Sequence, residues 1–173
     1  NIMRTVLIIV ATLIGNTLWA QNYTLEALES EVYQYTSLEE ALAAPRDSVY
    51  SLKLKAGLKS VPSEVFTEFP NLLWLDLSKN RLKALPAEIG LLKKLKKLIL
   101  FKNKLESLPV EIGQLEELQE LVINQNELET LPDEIGNLKK LRYIDMWSNN
   151  ITHLPSSMEQ MYALEEVDLR VIV

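Results

Sequence analysis

Cysteine is absent from the 173 residues. That excludes disulfide closure, a thiolate metal site, a thiol nucleophile and a lipid-bearing cysteine. Histidine is almost as scarce: His153 stands alone, beside Leu154 and Pro155 where a turn is expected, and a solvent-facing imidazole there accounts for it better than catalysis or metal binding. The chain holds only five glycines and seven prolines, too few for a fibrous or low-complexity protein. No Gly-rich phosphate loop or nucleophile motif occurs, so no enzyme activity, metal or cofactor is expected. A basic surplus is missing as well. The 18 Lys and Arg are outnumbered by 24 Asp and Glu, for a net charge of -6, and a chain of that sign repels phosphates, which argues against a nucleic-acid partner. The one cationic run, Lys93, Lys94, Lys96 and Lys97, is interleaved with Leu92, Leu95 and Leu98 and reads as a solvated edge.

Long apolar runs are lacking too. Residues 5–14 are almost wholly apolar, yet a spanning helix needs about 20 such residues. Arg4 precedes this stretch, and Ala20 lies just before the polar Gln21. A charged start, a short apolar centre and a small residue before a polar one mark a secretory signal peptide over residues 1–20, cleaved near Ala20. An uncleaved anchor or a buried first helix are the alternatives. Leu18 is larger than the residue usually found three places before a cut, and Asn1 and Ile2 precede Met3. Cleavage would remove one Arg and no acid, leaving 17 minus 24, or -7. The mature chain then has no membrane span and is expected to be secreted, periplasmic or on the cell surface.

What is present in abundance is a repeat. The block Leu-x-x-Leu-x-Leu-x-x-Asn-x-Leu-x-x-Leu-Pro recurs every 23 residues from Leu72, Leu95, Leu118 and Leu141, and begins again at Leu164. A period of this size marks stacked coils in a solenoid with one continuous core. In Leu-x-Leu the two leucines share one side of a strand while the residue between them faces the other. Asn80, Asn103, Asn126 and Asn149 fall where the chain leaves each strand; their carboxamides can pair backbone groups that would otherwise be buried alone, forming a ladder. Leu-Pro then ends any helix and holds the return path extended or in short turns. A degenerate copy comes first, through Val49, Leu52, Leu54, Leu58, Val61 and Pro62. It is one residue short, with Gly57 in place of the ladder Asn, which suits an end coil and leaves its turn geometry open.

These residues, with the Leu-Pro-x-x-Ile-Gly-x-Leu ending seen at Leu85 to Leu92, resemble the leucine-rich repeat family. The ending is similar to its typical class, shared by secreted bacterial proteins and Ras-group intracellular scaffolds. The resemblance covers residues 48–173 and implies an α/β solenoid. Its form would be a horseshoe whose concave face is a parallel β-sheet, here of about six strands, with an irregular or 3-10 convex side. It also implies binding of another macromolecule, without naming the partner. The ubiquitin-ligase domain that some bacterial members carry needs a cysteine, which these residues lack.

Residues 21–47 lie outside the period. Ser37 is followed by Glu40 three places on, with Pro45 beyond, a capping-box signature for a short helix bearing Leu38, Ala41 and Leu42. That helix is expected to form an N-terminal helical cap over the first coil. Another helical turn through Leu25, Leu28 and Val32 is expected before it. At the opposite end Ile172 takes the place of the ladder Asn and no Leu-Pro follows. Continuation of the parent chain is the favoured reading of that apolar stop, ahead of self-association through the edge strand or a tail folded over it.

Function is expected where the copies disagree, on the outward strand positions of the concave face. The first column reads Ser51, Trp74, Lys97, Glu120, Tyr143, Glu166; the second Lys53, Asp76, Ile99, Val122, Asp145, Asp168; the third Lys55, Ser78, Phe101, Asn124, Trp147, Arg170. Trp74, Ile99, Phe101, Val122, Tyr143 and Trp147 form an apolar and aromatic band on strands about 4.8 Å apart, with Asp76, Lys97, Glu120, Asn124 and Asp145 among them. Bulky aromatics in such a band are frequent binding anchors, although they also cover neighbours and favour strand structure. Asp145 and Asp168 stack as a carboxylate pair, but Asp is common there as a solubilising residue. The expected ligand is a protein or peptide. The alternatives are surface adhesion, with a glycan stacked on Trp74, Tyr143 and Trp147, and an intracellular scaffold similar to the Ras-group proteins.

Overall fold

The computed structural model describes residues 24–55 and 57–169. The expected signal segment and residues 170–173 lie outside the described residues. Helix α1 (Leu25–Ser30), strand β1 (Gln34–Tyr35) and helix α2 (Leu38–Ala43) precede the repeats. Then come β2 (Ser51–Lys53), helix α3 (Glu64–Thr67), β3 (Trp74–Asp76), β4 (Lys97–Ile99), β5 (Glu120–Val122), β6 (Tyr143–Asp145) and β7 (Glu166–Asp168). All seven strands form one parallel sheet in chain order.

Strands β2 to β7 stand where the repeat places them. Trp74 pairs with Lys97, Lys97 with Glu120 and Glu120 with Tyr143, so equal residues of successive coils are neighbours. The central strand residues Leu75, Leu98, Leu121 and Ile144 are fully buried, while their flanking residues face outward. The sheet has one strand more than the expected six. Gln34 lies opposite Ser51 and Tyr35 opposite Leu52, an offset of 17 rather than 23. The extra strand buries the Tyr35 ring against the core, and Gln34 Nε2 donates to Ser51 Oγ at 3.2 Å.

Opposite the sheet, each proline fixes an extended residue and a short 3-10 turn follows, at Ala87–Leu91, Val110–Gln114, Asp133–Asn137 and Ser156–Gln160. These turns point Ile89, Ile112 and Ile135 into the core. They also stack closely. A Cβ on Gly113 would meet the Glu134 carbonyl oxygen at 2.4 Å, and one on Gly136 would meet that of Ser157 at 2.5 Å, so the motif's glycine is set by coil spacing. Glu159 replaces it in the last full copy.

The asparagine ladder forms, and it has a direction. Asn103 donates to the carbonyls of Leu100 in its own coil, at 3.0 Å, and of Leu77 in the coil before, at 2.9 Å; its Oδ1 accepts from the amide of Leu82 at 3.1 Å, again in the preceding coil. Asn126 and Asn149 repeat the pattern. Asn80 reaches back to Leu54 O at 2.7 Å and accepts from Leu58 N at 3.0 Å. Gly57 therefore leaves no gap, because the first coil is served by the second. The residue before each ladder Asn is left-handed: Lys79, Lys102, Gln125 and Ser148 have φ of 59°, 58°, 53° and 56°.

In the leading segment Ser37 caps α2 by accepting from the amide of Glu40 at 3.1 Å. Glu40 in turn accepts from the amide of Thr36 at 3.3 Å. Ala41 is buried, with Leu38 and Leu42 packed on the leucine core.

Candidate functional site

Outward residues of β2 to β7 form one face, and the structure divides it in two. At the N-terminal end, the leading segment lies on it. Leu25 and Val32 pack against the buried pair Tyr50 and Leu73, as does Trp74, and Glu29 of α1 holds the Lys97 ammonium at 2.5 Å. Lys97 also pairs with Glu120 at 2.8 Å and lies 5.1 Å from the centre of the Trp74 ring. Trp74, expected in an open band, is thus part of an internal contact, and its Nε1 is buried without a hydrogen-bond partner among the described residues. The signal for this was one column away. Residues just before the strands read Tyr50, Leu73, Lys96, Gln119, Arg142 and Glu165, so the apolar pair marks where another segment docks.

The cationic run is likewise not a solvated edge throughout. Lys96 is only 7% exposed, and burial lowers its pKa. The Lys97 side chain is 12% exposed. Burial works against its charge, yet the hydrogen bonds and charges of Glu120 and Glu29 more than offset that and raise its pKa. Lys94 donates to Asn71 Oδ1 at 2.7 Å, leaving Lys93 exposed.

On β4 to β6 the remaining band lies together. Ile99 is opposite Val122 and Val122 opposite Asp145. Two residues farther along, Phe101, Asn124 and Trp147 continue the same register. Ile99, Phe101, Val122, Tyr143 and Trp147 are all half-buried, while Asn124 and Asp145 are buried. Asp145 accepts from the amide of Trp147 at 3.4 Å, as Asp76 accepts from that of Ser78 at 2.9 Å. These bonds give the aspartates of the second column a local role as turn caps. Burial raises the Asp76 pKa, but the Ser78 hydrogen bonds and Lys53, at 3.1 Å, outweigh it, and the net shift is downward. The Tyr143 hydroxyl is pushed up by burial and then by Asp145, Glu166, Asp168 and Glu120. Charge is therefore polarised, with Lys53, Lys55 and Lys97 towards β2 to β4 and the acids gathered around β6 and β7.

His153 is exposed on its turn, beside Thr152 Oγ1 at 3.1 Å. Among the described residues no group of three or more acidic, His or Cys side chains could hold a metal ion, and no helix is long and apolar enough to cross a membrane.

An open stack of 23-residue coils, with one parallel sheet and 3-10 turns behind it, defines a solenoid repeat protein. The chain belongs to the leucine-rich repeat family, whose model matches residues 48–105, 93–151 and 116–170. Proteins of this family commonly serve as protein-interaction modules and are generally not enzymes. A leucine-rich repeat protein of Leptospira interrogans is 35% identical, with a TM-score of 0.64, over 76% of this chain and 39% of that one. An internalin of Listeria monocytogenes, 21% identical with a TM-score of 0.55 over 70% of this chain and 33% of its own, shares the fold. The leucine-rich repeat ectodomain of the Arabidopsis thaliana membrane receptor kinase GASSHO1/SCHENGEN3, solved in complex with CASPARIAN STRIP INTEGRITY FACTOR 2, is 34% identical. Its TM-score is 0.53, over 68% of this chain and 14% of the ectodomain. The chain thus spans well under half the length of each.

Proposed function

We propose that this chain is a non-enzymatic recognition module that holds a protein or peptide on the concave face of β4, β5 and β6. The observation that carries the reading is the group Ile99, Val122, Phe101, Tyr143 and Trp147, each half-buried on a face where the repeat itself demands no apolar side chain. Burying such a group against a ligand contributes about 25 cal/mol per Å² of apolar surface, and aromatic anchors dominate interfaces of this kind. The receptor-kinase relative, crystallised with a bound factor, supports the same reading. Trp74 is assigned instead to the contact with the leading segment, and we take residues 21–47 to cap the first coil, in keeping with the burial of Tyr35 and Ala41.

The order of Arg4, the apolar residues 5–14 and Ala20 supports export, which would place recognition in the periplasm or outside the cell. Mass spectrometry of the exported chain should then find an N-terminus near Gln21.

The binding test compares Phe101→Ala with Trp147→Ala, and uses Trp74→Phe as the control. Each of the first two should weaken a ligand selected on the native chain at least about tenfold, or 1.4 kcal/mol, with the thermal midpoint little changed. Unchanged affinity in both variants, with the fold intact, would remove the concave face from consideration.

A further inference from the structure

We propose, resting on that reading, that Asn124 recognises the main chain of an extended peptide, whose apolar side chain lies over Ile99 and Val122 between Phe101 and Trp147. Asn124 is 6% exposed, and its Oδ1 has no hydrogen-bond partner among the described residues. An acceptor withdrawn from water and left unpaired is destabilising. Nothing in the repeat requires a polar residue here, since the same register holds Phe101 in the coil before and Trp147 in the coil after.

The backbone nearby complements that acceptor. Asp76 and Asp145 accept the amides of Ser78 and Trp147, so the N–H two places past the second column points to the face on which those carboxylates stand. On the two strands between them, Ile99 and Val122 occupy the aspartate's place. The amides of Phe101 and Asn124 therefore have no such carboxylate to meet. One carboxamide and two outward amides match the N–H and C=O of a peptide group. A peptide group carries both polarities, so the match holds for either orientation of the carboxamide.

The surroundings favour a peptide over a sugar. Phe101 and Trp147 are two strand spacings apart, roughly 10 Å, which is room for one side chain above Asn124. Ile99 and Val122 offer an apolar bed to that side chain and nothing to a ring of hydroxyls.

The test screens the full chain against a displayed library of random linear dodecapeptides, and in parallel against a glycan array. Peptides selected on the native protein are then measured on Asn124→Leu, on Asn124→Ser, which installs the residue found at this register in Ser78, and on the Phe101→Ala, Trp147→Ala pair. We expect Asn124→Leu to keep or raise the urea midpoint, because it removes an orphaned polar group, while peptide affinity falls at least about tenfold. Asn124→Ser gives the same loss of affinity on a folded chain should the leucine fail to pack. If the aromatic pair loses affinity and the Asn124 variants do not, the concave-face reading stands and this inference fails. If none loses affinity, both fail. Selection of no peptide, or binding of glycans alone, also overturns it.

Discussion

Replacing Asn126 with alanine should be among the most damaging single changes available in the coil. Its Nδ2 donates to the carbonyls of Leu100 at 3.0 Å and Ile123 at 2.9 Å, and its Oδ1 accepts from the amide of Leu105 at 3.0 Å. Alanine strands the Leu105 amide in the interior and takes one of two donors from each carbonyl, since Leu100 O keeps Asn103 and Ile123 O keeps Asn149. A buried polar group left unpaired costs about 1 to 3 kcal/mol and each lost bond to a carbonyl about 0.5 to 1.5 kcal/mol, so the three together, partly relieved by an entering water, give a loss of about 2 to 5 kcal/mol. Against the roughly 5 to 15 kcal/mol typical of a folded domain, that is a large fraction. Equilibrium urea denaturation with linear extrapolation measures it. Asn149 makes the same three kinds of bond, to Ile123, Met146 and Leu128, but its side chain is only half-buried and water can replace it. Asn149→Ala should therefore cost about half as much. A loss below about 1 kcal/mol for Asn126→Ala, or an equal or larger one for Asn149→Ala, would refute the view that the ladder stabilises by satisfying buried backbone.

Two further tests concern other features of the coil. Gly113→Ala drives a Cβ into a carbonyl oxygen, whereas the same change at Gly90 meets first the flexible end of Gln114, at 2.8 Å. Calorimetry should find Gly113→Ala destabilised by about 1 to 3 kcal/mol and Gly90→Ala distinctly less; equal effects would remove coil spacing as the reason for the motif's glycine. Asp76 has a folded pKa below its ordinary value, so its contribution is present above about pH 4 and is lost as pH falls through the folded pKa. The stability gap between the native chain and Asp76→Asn should accordingly shrink on acidification from neutral pH, and a gap independent of pH in urea titrations would contradict the assignment.

The repeated part of the fold was legible because a period of 23 fixes register, face and core together. Ser37 and Glu40 marked α2 by local chemistry alone. β1 was hidden because two residues carry no alternation, and what holds Tyr35 is the core of a distant coil. The docking of Leu25 and Val32 beside Trp74, on Tyr50 and Leu73, escaped for a related reason: columns read down the repeat reveal which residues face outward, and a segment outside the repeat decides which of them stay uncovered. Asn124 was visible as a member of the face. That its Oδ1 has no partner among the described residues depends on neighbours in three dimensions.

Because each ladder asparagine reaches into the coil before it, the solenoid closes in arrears. The amide of Leu82 waits for Asn103, 21 residues downstream, and the carbonyl of Leu77, already paired with Asn80, gains its second donor there. A chain emerging from the ribosome N-terminus first therefore always carries one unfinished coil at its growing end, and each newly made coil completes its predecessor. Ribosome-stalled chains whose lengths leave Asn103 just inside and just outside the exit tunnel should differ sharply in the protease resistance of residues 72–92.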